Sequence, residues 1–183
     1  MKLILIDRDG VINEEIPDYI KSPEQLKIYP EAFEALSLLK QAGFTCVVIT
    51  NQSVVGRGII SLEQLHEIHQ YMCEQVELNG GKIAEVIFCP DAPDNSTNRR
   101  KPNAGMLFEA LDKYNATSQE TSFIGDAITD MEAAYKANCQ RYLVMTGKGK
   151  ISAQNLPLNL MPVTFCENIL DAAKKIIASY SSL

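Results

Sequence analysis

The residues able to do chemistry in this 183-residue chain fall in four widely separated places. Asp7 and Asp9 follow the aliphatic run Leu3-Ile4-Leu5-Ile6 with one residue between them, and Gly10 comes next. Thr50 and Asn51 end a second apolar run, Arg99-Arg100-Lys101 precedes Pro102, and Asp126 and Asp130 follow Phe123-Ile124-Gly125. Carboxylates gathered in one pocket drive their own pKa values upward unless a cation offsets them, and an all-oxygen ligand set suits a hard ion such as Mg²⁺. The nearby lysine and arginine exceed what a metal requires and point to an anionic substrate, most simply a phosphate monoester. Taken singly, each feature has a plainer reading. Asp7 to Gly10 is also a strand-capping turn, Thr50 a strand-end hydroxyl, Lys101 a solvated cation and Asp130 an N-cap of its helix.

Elements that position these groups are legible around them. Leu3 to Ile6 fits a strand buried on both faces. The polar stretch from Val11 to Tyr29, interrupted by Pro17 and Pro23, reads as a loop or flap. Pro30 opens a helix with Phe33, Leu36 and Leu39 on one face and Gly43 at its end, and Thr45 to Ile49 is a second strand. Ser53 to Ile60, with Gly56-Arg57-Gly58, reads as a loop. Ser61 and Gln64 form a capping box for a helix over Leu62 to Leu78, whose apolar stripe is Leu65, Ile68, Met72 and Val76. His66 and His69 sit on that helix at a spacing that places two imidazoles on one face, without an evident third ligand. Val86 to Cys89 is a third strand, followed by a loop to Pro102 and a helix over Gly105 to Tyr114. A strand into Asp126, a helix through Ala137, a fifth strand over Tyr142 to Met145, an irregular stretch over Ile151 to Pro162 and a helix over Asn168 to Ile177 complete the chain. Strands alternating with helices predict an α/β fold, a doubly wound parallel sheet with all its carboxyl ends on one edge.

Length predicts one domain over residues 1–183. A net charge of -6 disfavours a nucleic-acid partner, and no apolar run approaches the length of a membrane span. The start lacks the pattern of a signal peptide, so the expected location is cytoplasmic. The five cysteines are odd in number and contain no C-x-x-C pair, and read as small buried hydrophobes. Nothing in the sequence sets an oligomeric state.

D-x-D-G-V near the start, T-N-Q after the second strand, R-K-P and G-D-x-x-x-D, spread over Lys2 to about Gly147, resemble the four motifs of the haloacid dehalogenase (HAD) superfamily of phosphatases. Within it, I-D-R-D-G-V-I-N, T-N-Q-S-x-x-G-R-G and R-R-K-P are similar to the branch of heptose 1,7-bisphosphate 7-phosphatases and histidinol-phosphate phosphatases. The resemblance implies a Rossmann-like core with no large cap domain. It implies Asp7 as nucleophile, Asp9 as general acid and base, and Mg²⁺ on Asp7, Asp126 and the Asp9 carbonyl. Thr50 and Lys101 match phosphate-binding positions, Asn51, Arg57 and Arg100 match positions facing the substrate, and Asp130 supports the metal site from behind. A D-glycero-D-manno-heptose bisphosphate is the leading substrate, because Arg57 and Arg100 suit a sugar phosphate better than a cationic amine; histidinol phosphate is the alternative. A catalytically silent phosphate-binding protein on the same fold is the reading from another class, and the intact acids argue against it. Two departures stand out. Cys89 is followed by Pro90-Asp91-Ala92-Pro93 rather than by the branch's zinc ligands, so no structural zinc is expected, and Ala127 replaces a lysine common in the branch.

Overall fold

The structure, a computed structural model, describes residues 2–181. Strands β1 (Leu3–Ile6), β2 (Thr45–Asn51), β3 (Glu85–Cys89), β4 (Ser122–Gly125), β5 (Gln140–Val144) and β6 (Thr164–Cys166) form one parallel sheet in the order β3-β2-β1-β4-β5-β6. Between and after them run α1 (Pro30–Gln41), α2 (Ser53–Gly56), α3 (Leu62–Leu78), α4 (Gly105–Lys113), α5 (Ile128–Lys136), α6 (Gly149–Gln154) and α7 (Ile169–Ser181). This is the doubly wound α/β architecture that the alternation predicts.

The central strand shows why its sequence is continuously aliphatic. Alternate side chains of a strand point to opposite faces, and here both faces are covered. Ile4 and Ile6 pack with residues of α1, α3 and α7, whereas Leu3 and Leu5 pack with α4 and α5. All four side chains are fully buried, each contributing about 1.5–3 kcal/mol by leaving water. Local signals agree with this packing. Pro30 takes the first position of α1, where a missing N–H costs nothing, and Gly43 beyond its end has φ +79. Ser61 and Gln64 close the capping box of α3, with the Gln64 N–H donated to Ser61 Oγ and the Ser61 N–H to Gln64 Oε1.

From β1 the chain builds outward to β2 and β3, then returns to the other side of β1 to build β4, β5 and β6. Strand order therefore reverses between β1 and β4, the kind of crevice in which α/β sheets bind ligands. The Asp7 N–H donates to Ile124 O at 2.9 Å, so pairing continues one residue past β1 and Asp7 emerges close to the end of β4.

Several boundaries differ from the sequence reading. β2 runs through Asn51, placing Thr50 and Asn51 inside the strand. Ser53 to Gly56 is a helical turn within the expected loop, and the stretch expected to be irregular holds most of α6 and a 3-10 turn over Leu158–Leu160. β6 is an additional edge strand of three residues, too short to show periodicity. Four of the five cysteines are buried, Cys73 is half-buried, and all are free thiols. Among the described residues no helix is long and apolar enough to cross a membrane.

Candidate active site

Asp7 lies where β1 ends. Its Oδ1 accepts the Arg8 N–H at 2.8 Å and stands 2.9 Å from Lys101 Nζ. Lys101 comes from the loop after β3, and Asn51 fixes its backbone: Asn51 Nδ2 donates to Lys101 O and Asn51 Oδ1 accepts the Lys101 N–H. The buried ammonium then donates to Ile49 O at 2.9 Å and forms an ion pair with Asp130 Oδ1 at 2.7 Å. Burial alone would lower the Lys101 pKa, but Asp130 and Asp7 raise it above the ordinary lysine value, so it stays charged. Asp130 Oδ2 accepts the N–H groups of Asp126 and Ala127, which ties the first turn of α5 to the end of β4. Asp130 is therefore not the N-cap the sequence allowed, because α5 starts at Ile128 and the N-cap is Ala127; from the third helical position it accepts the Ala127 N–H and pairs with Lys101.

Asp126 completes a cluster in which the carboxylates of Asp7, Asp126 and Asp130 lie within 4.8 Å of one another. Its Oδ2 accepts the Lys148 N–H at 2.8 Å. Two glycines make room for it. A Cβ on Gly10 (φ +81) or on Gly147 (φ +53) would sit 2.2 Å from Asp126 Oδ2, so neither position tolerates a side chain. Burial, then Asp130, pushes Asp7 up to about 7 and Asp126 up to about 8, with Lys101 opposing the rise at Asp7. One ammonium does not balance three buried carboxylates. Hard oxygen donors with excess negative charge fit a divalent cation, and Mg²⁺ would be held by Asp7 and Asp126, since both oxygens of Asp130 are already engaged.

This charge imbalance has a measurable pH dependence. Both acids have folded-state pKa values above the ordinary 3.8, so the folded metal-free chain keeps protons that the unfolded chain has released. Their contribution to stability is full below about pH 4 and is lost as pH rises through about 7 to 8. Mg²⁺ competes with those protons, so its stabilisation should be slight near about pH 5.5 and several degrees in Tm near about pH 8.5. Equal Mg²⁺-induced shifts at the two pH values would argue against a metal at these carboxylates.

Asp9 occupies a different environment. Arg8 Nη2 reaches both of its carboxylate oxygens at 2.8 and 2.9 Å, Asn13 Nδ2 donates to Oδ1, and Gln52 Nε2 donates to Oδ2. Burial would raise the Asp9 pKa, but the Arg8 guanidinium and these donors hold it below the usual carboxylate range. Gln52 Nε2 also donates to Thr50 Oγ1, leaving the threonine hydroxyl proton free to point elsewhere. Behind Arg8 stands His69, its Nε2 3.2 Å from Arg8 Nη1. Burial and the adjacent guanidinium lower the His69 pKa to about 3, so the ring is neutral and Nε2 accepts.

A cavity of about 490 Å³ opens above these groups. Asp7, Asp9, Glu15, Asp126 and Asp130 on its walls are matched by Arg8, Arg57, Arg100, Lys101 and Lys148, so a bound dication would leave it net positive and suited to an anion. Residues of the 11–29 segment form one wall, as expected of a flap.

A family model described as HAD-hydrolase-like matches residues 98–172. A D-glycero-beta-D-manno-heptose-1,7-bisphosphate 7-phosphatase of Pseudomonas aeruginosa is 42% identical over 147 residues, covering 80% of this chain and 83% of that protein. The chain belongs to the HAD superfamily of phosphatases. A second relative of the same name, from Bordetella bronchiseptica, is 33% identical over 97% of this chain and 98% of its own. The crystal structure of D,D-heptose 1,7-bisphosphate phosphatase from B. bronchiseptica, complexed with magnesium and phosphate, superposes with a TM-score of 0.93 at 32% identity, covering 98% of this chain and 99% of that one.

All of the residues expected from the HAD motifs line the cavity: Asp7, Asp9, Thr50, Asn51, Arg57, Arg100, Lys101, Asp126 and Asp130. They do not all present themselves alike. Both ends of the Asn51 amide are occupied by Lys101, so Asn51 sets the loop that delivers the lysine. Arg57 is exposed at the rim, and half-buried Arg100 donates to Asp91 O at 2.7 Å. Arg99 turns away to Glu109. The two histidines are not a ligand pair: His66 is exposed and His69 is buried against Arg8, although both rings pack on Phe88. Sequence reasoning did not single out Arg8, Asn13, Gln52 or Lys148. The available signal was the arginine between the two aspartates, whose charge must be absorbed by one of them.

Proposed function

We propose that the chain, acting as one domain over residues 1–183, is a Mg²⁺-dependent phosphatase that removes the 7-phosphate of D-glycero-D-manno-heptose 1,7-bisphosphate. The observation that supports the chemistry is the placement of Asp7 beside Lys101 and Asp126 at the strand-order reversal, with the separately bonded Asp9 next to it. The names of the relatives support the substrate.

In this reading a carboxylate oxygen of Asp7 attacks phosphorus, the bond from phosphorus to the ester oxygen breaks, and Asp9 gives its proton to the departing oxygen. The incoming phosphoryl charge raises the pKa of Asp9 above its depressed resting value, which lets it carry that proton. Asp9 then takes a proton from the water that attacks the aspartyl-phosphate, releasing inorganic phosphate and restoring Asp7. By favouring the carboxylate form of Asp9, Arg8 assists the first of these transfers, to the departing oxygen. Mg²⁺, held by Asp7, Asp126 and the Asp9 carbonyl, would shield the nucleophile from the phosphoryl charge. The Thr50 hydroxyl and Lys101 face the phosphoryl oxygens, and Asp130 keeps Lys101 in place.

A phosphate-release screen over sugar bisphosphates, sugar monophosphates and histidinol phosphate tests the reading. Activity is expected with Mg²⁺, lost with EDTA and greatest for the heptose bisphosphate; metal analysis is expected to find no stoichiometric zinc. Preference for histidinol phosphate would replace the sugar reading. Arg57 and Arg100 should carry part of the preference, because a second phosphate needs its own cations and the guanidinium fork matches phosphate oxygens. Replacing either by alanine should lower kcat/KM for the bisphosphate about 10- to 100-fold, the scale of a charged hydrogen bond, and barely alter hydrolysis of a small aryl phosphate. Equal losses on both substrates would assign the arginines to the transferred group.

A further inference from the structure

We propose that Lys148 is a substrate-binding cation of this site, held at rest by Glu15 and transferred to a phosphate oxygen when the ester enters; the proposal rests on the phosphatase reading. Two of the cavity's cations lie at its base and are paired with the site's own acids. Lys101 is surrounded by Asp7, Asp130 and Ile49 O, and Arg8 by Asp9 and His69. Those that remain approach from opposite flanks of the sheet: Arg57 and Arg100 follow β2 and β3, whereas Lys148 follows β5. On Lys148's flank, the residue after Asp126 is Ala127, which contributes only a methyl group.

The backbone of Lys148 is held by a partly buried hydrogen bond, and its side chain by one exposed ion pair. Its N–H donates to Asp126 Oδ2 at 2.8 Å, Gly149 N–H donates to Thr146 O at 2.8 Å, and Thr146 Oγ1 donates to Gly10 O at 2.6 Å. These bonds tie the loop from Thr146 to Gly149 to the base of the site. The Lys148 side chain, 60% exposed, extends to Glu15 Oε1 at 2.7 Å on the flap segment. An exposed ion pair of this kind contributes little and is easily exchanged. A phosphate dianion offers twice the charge and several acceptor oxygens, so it competes effectively for the ammonium.

The test uses the full chain with Mg²⁺ and inorganic phosphate as the binding probe, measured by calorimetry, alongside kcat and KM for the best ester of the screen. Lys148→Met should weaken phosphate binding and raise KM about 10-fold, with a smaller change in kcat, and Lys148→Arg should restore most of both. Glu15→Gln should tighten phosphate binding a few-fold, because the ammonium is no longer held. Unchanged phosphate affinity and KM in Lys148→Met overturn the proposal. So does a Glu15→Gln variant weakened as much as Lys148→Met, since the pair would then be a clasp between flap and loop. If the unmodified chain releases phosphate from no ester, the phosphatase reading fails; the phosphate affinities of the variants still decide the role of Lys148.

Discussion

Asp7→Asn is expected to leave a folded chain whose kcat is reduced by at least about 10⁴-fold, within the range for loss of a catalytic nucleophile. The amide matches the carboxylate in size, and its oxygen can still accept the Arg8 N–H and lie near Lys101. What it lacks is the electron pair and charge needed to attack phosphorus. The fold should even benefit in the absence of metal, because Asp7 ionises at a pKa raised to about 7 among other buried acids. Thermal denaturation without metal should therefore show a Tm at or above that of the unmodified chain at pH above about 7, while steady-state assays show turnover near background. Intact-mass measurement after quenching should find a phosphoryl adduct on the unmodified chain and none on the variant. Residual kcat above about 1% would remove Asp7 from the nucleophile's role, since general electrostatic stabilisation by its neighbours does not distinguish Asp from Asn to that extent.

How much of this site could be read in the sequence depends on where its signals lie. Asp7, Asp126 and Lys101 announce themselves because each follows an apolar strand, and a parallel sheet must bring such ends together. The four aliphatic residues of β1 predicted its central place, because only a strand covered on both faces needs them. The groups that tune the site were not legible. Arg8 points back from the strand end to Asp9 and His69, a contact spanning 61 positions that no local pattern encodes. Gln52 and Asn13 are ordinary polar loop residues until Asp9 is seen between them. Lys148 reads as one of several surface lysines, and only the fold brings its backbone to Asp126. β6 escaped for a different reason: three residues at a sheet edge, two of them exposed, carry no periodic signal.

Lys101→Met is expected to produce the largest loss of stability, and the loss should grow with pH. Lys101 balances Asp7 and Asp130 inside the protein, donates to Ile49 O and packs 5.4 Å from the Phe123 ring centroid. Methionine retains most of the volume and removes the charge. Breaking a buried ion pair by deleting one partner costs about 3–5 kcal/mol, because the remaining charge is left uncompensated. The sign follows from the acids left behind. Asp7 already has a folded-state pKa raised to about 7 with the ammonium in place, and its removal moves that value further up. Between the ordinary carboxylate value and the raised one, the folded variant holds protons that its unfolded chain releases, so stability falls as pH rises. Near about pH 4.5 Asp7 is protonated in the fold and the variant should approach the unmodified chain; near about pH 8 the full cost should appear as a Tm lower by 10 degrees or more. Saturating Mg²⁺ should recover part of the difference at the higher pH by supplying charge to the same carboxylates, yet kcat should stay about 10² to 10³-fold low if Lys101 has the phosphate-binding role proposed for it. A Tm deficit of equal size at both pH values would mean that Lys101 serves the fold through packing alone, and the electrostatic account of the site would have to be abandoned.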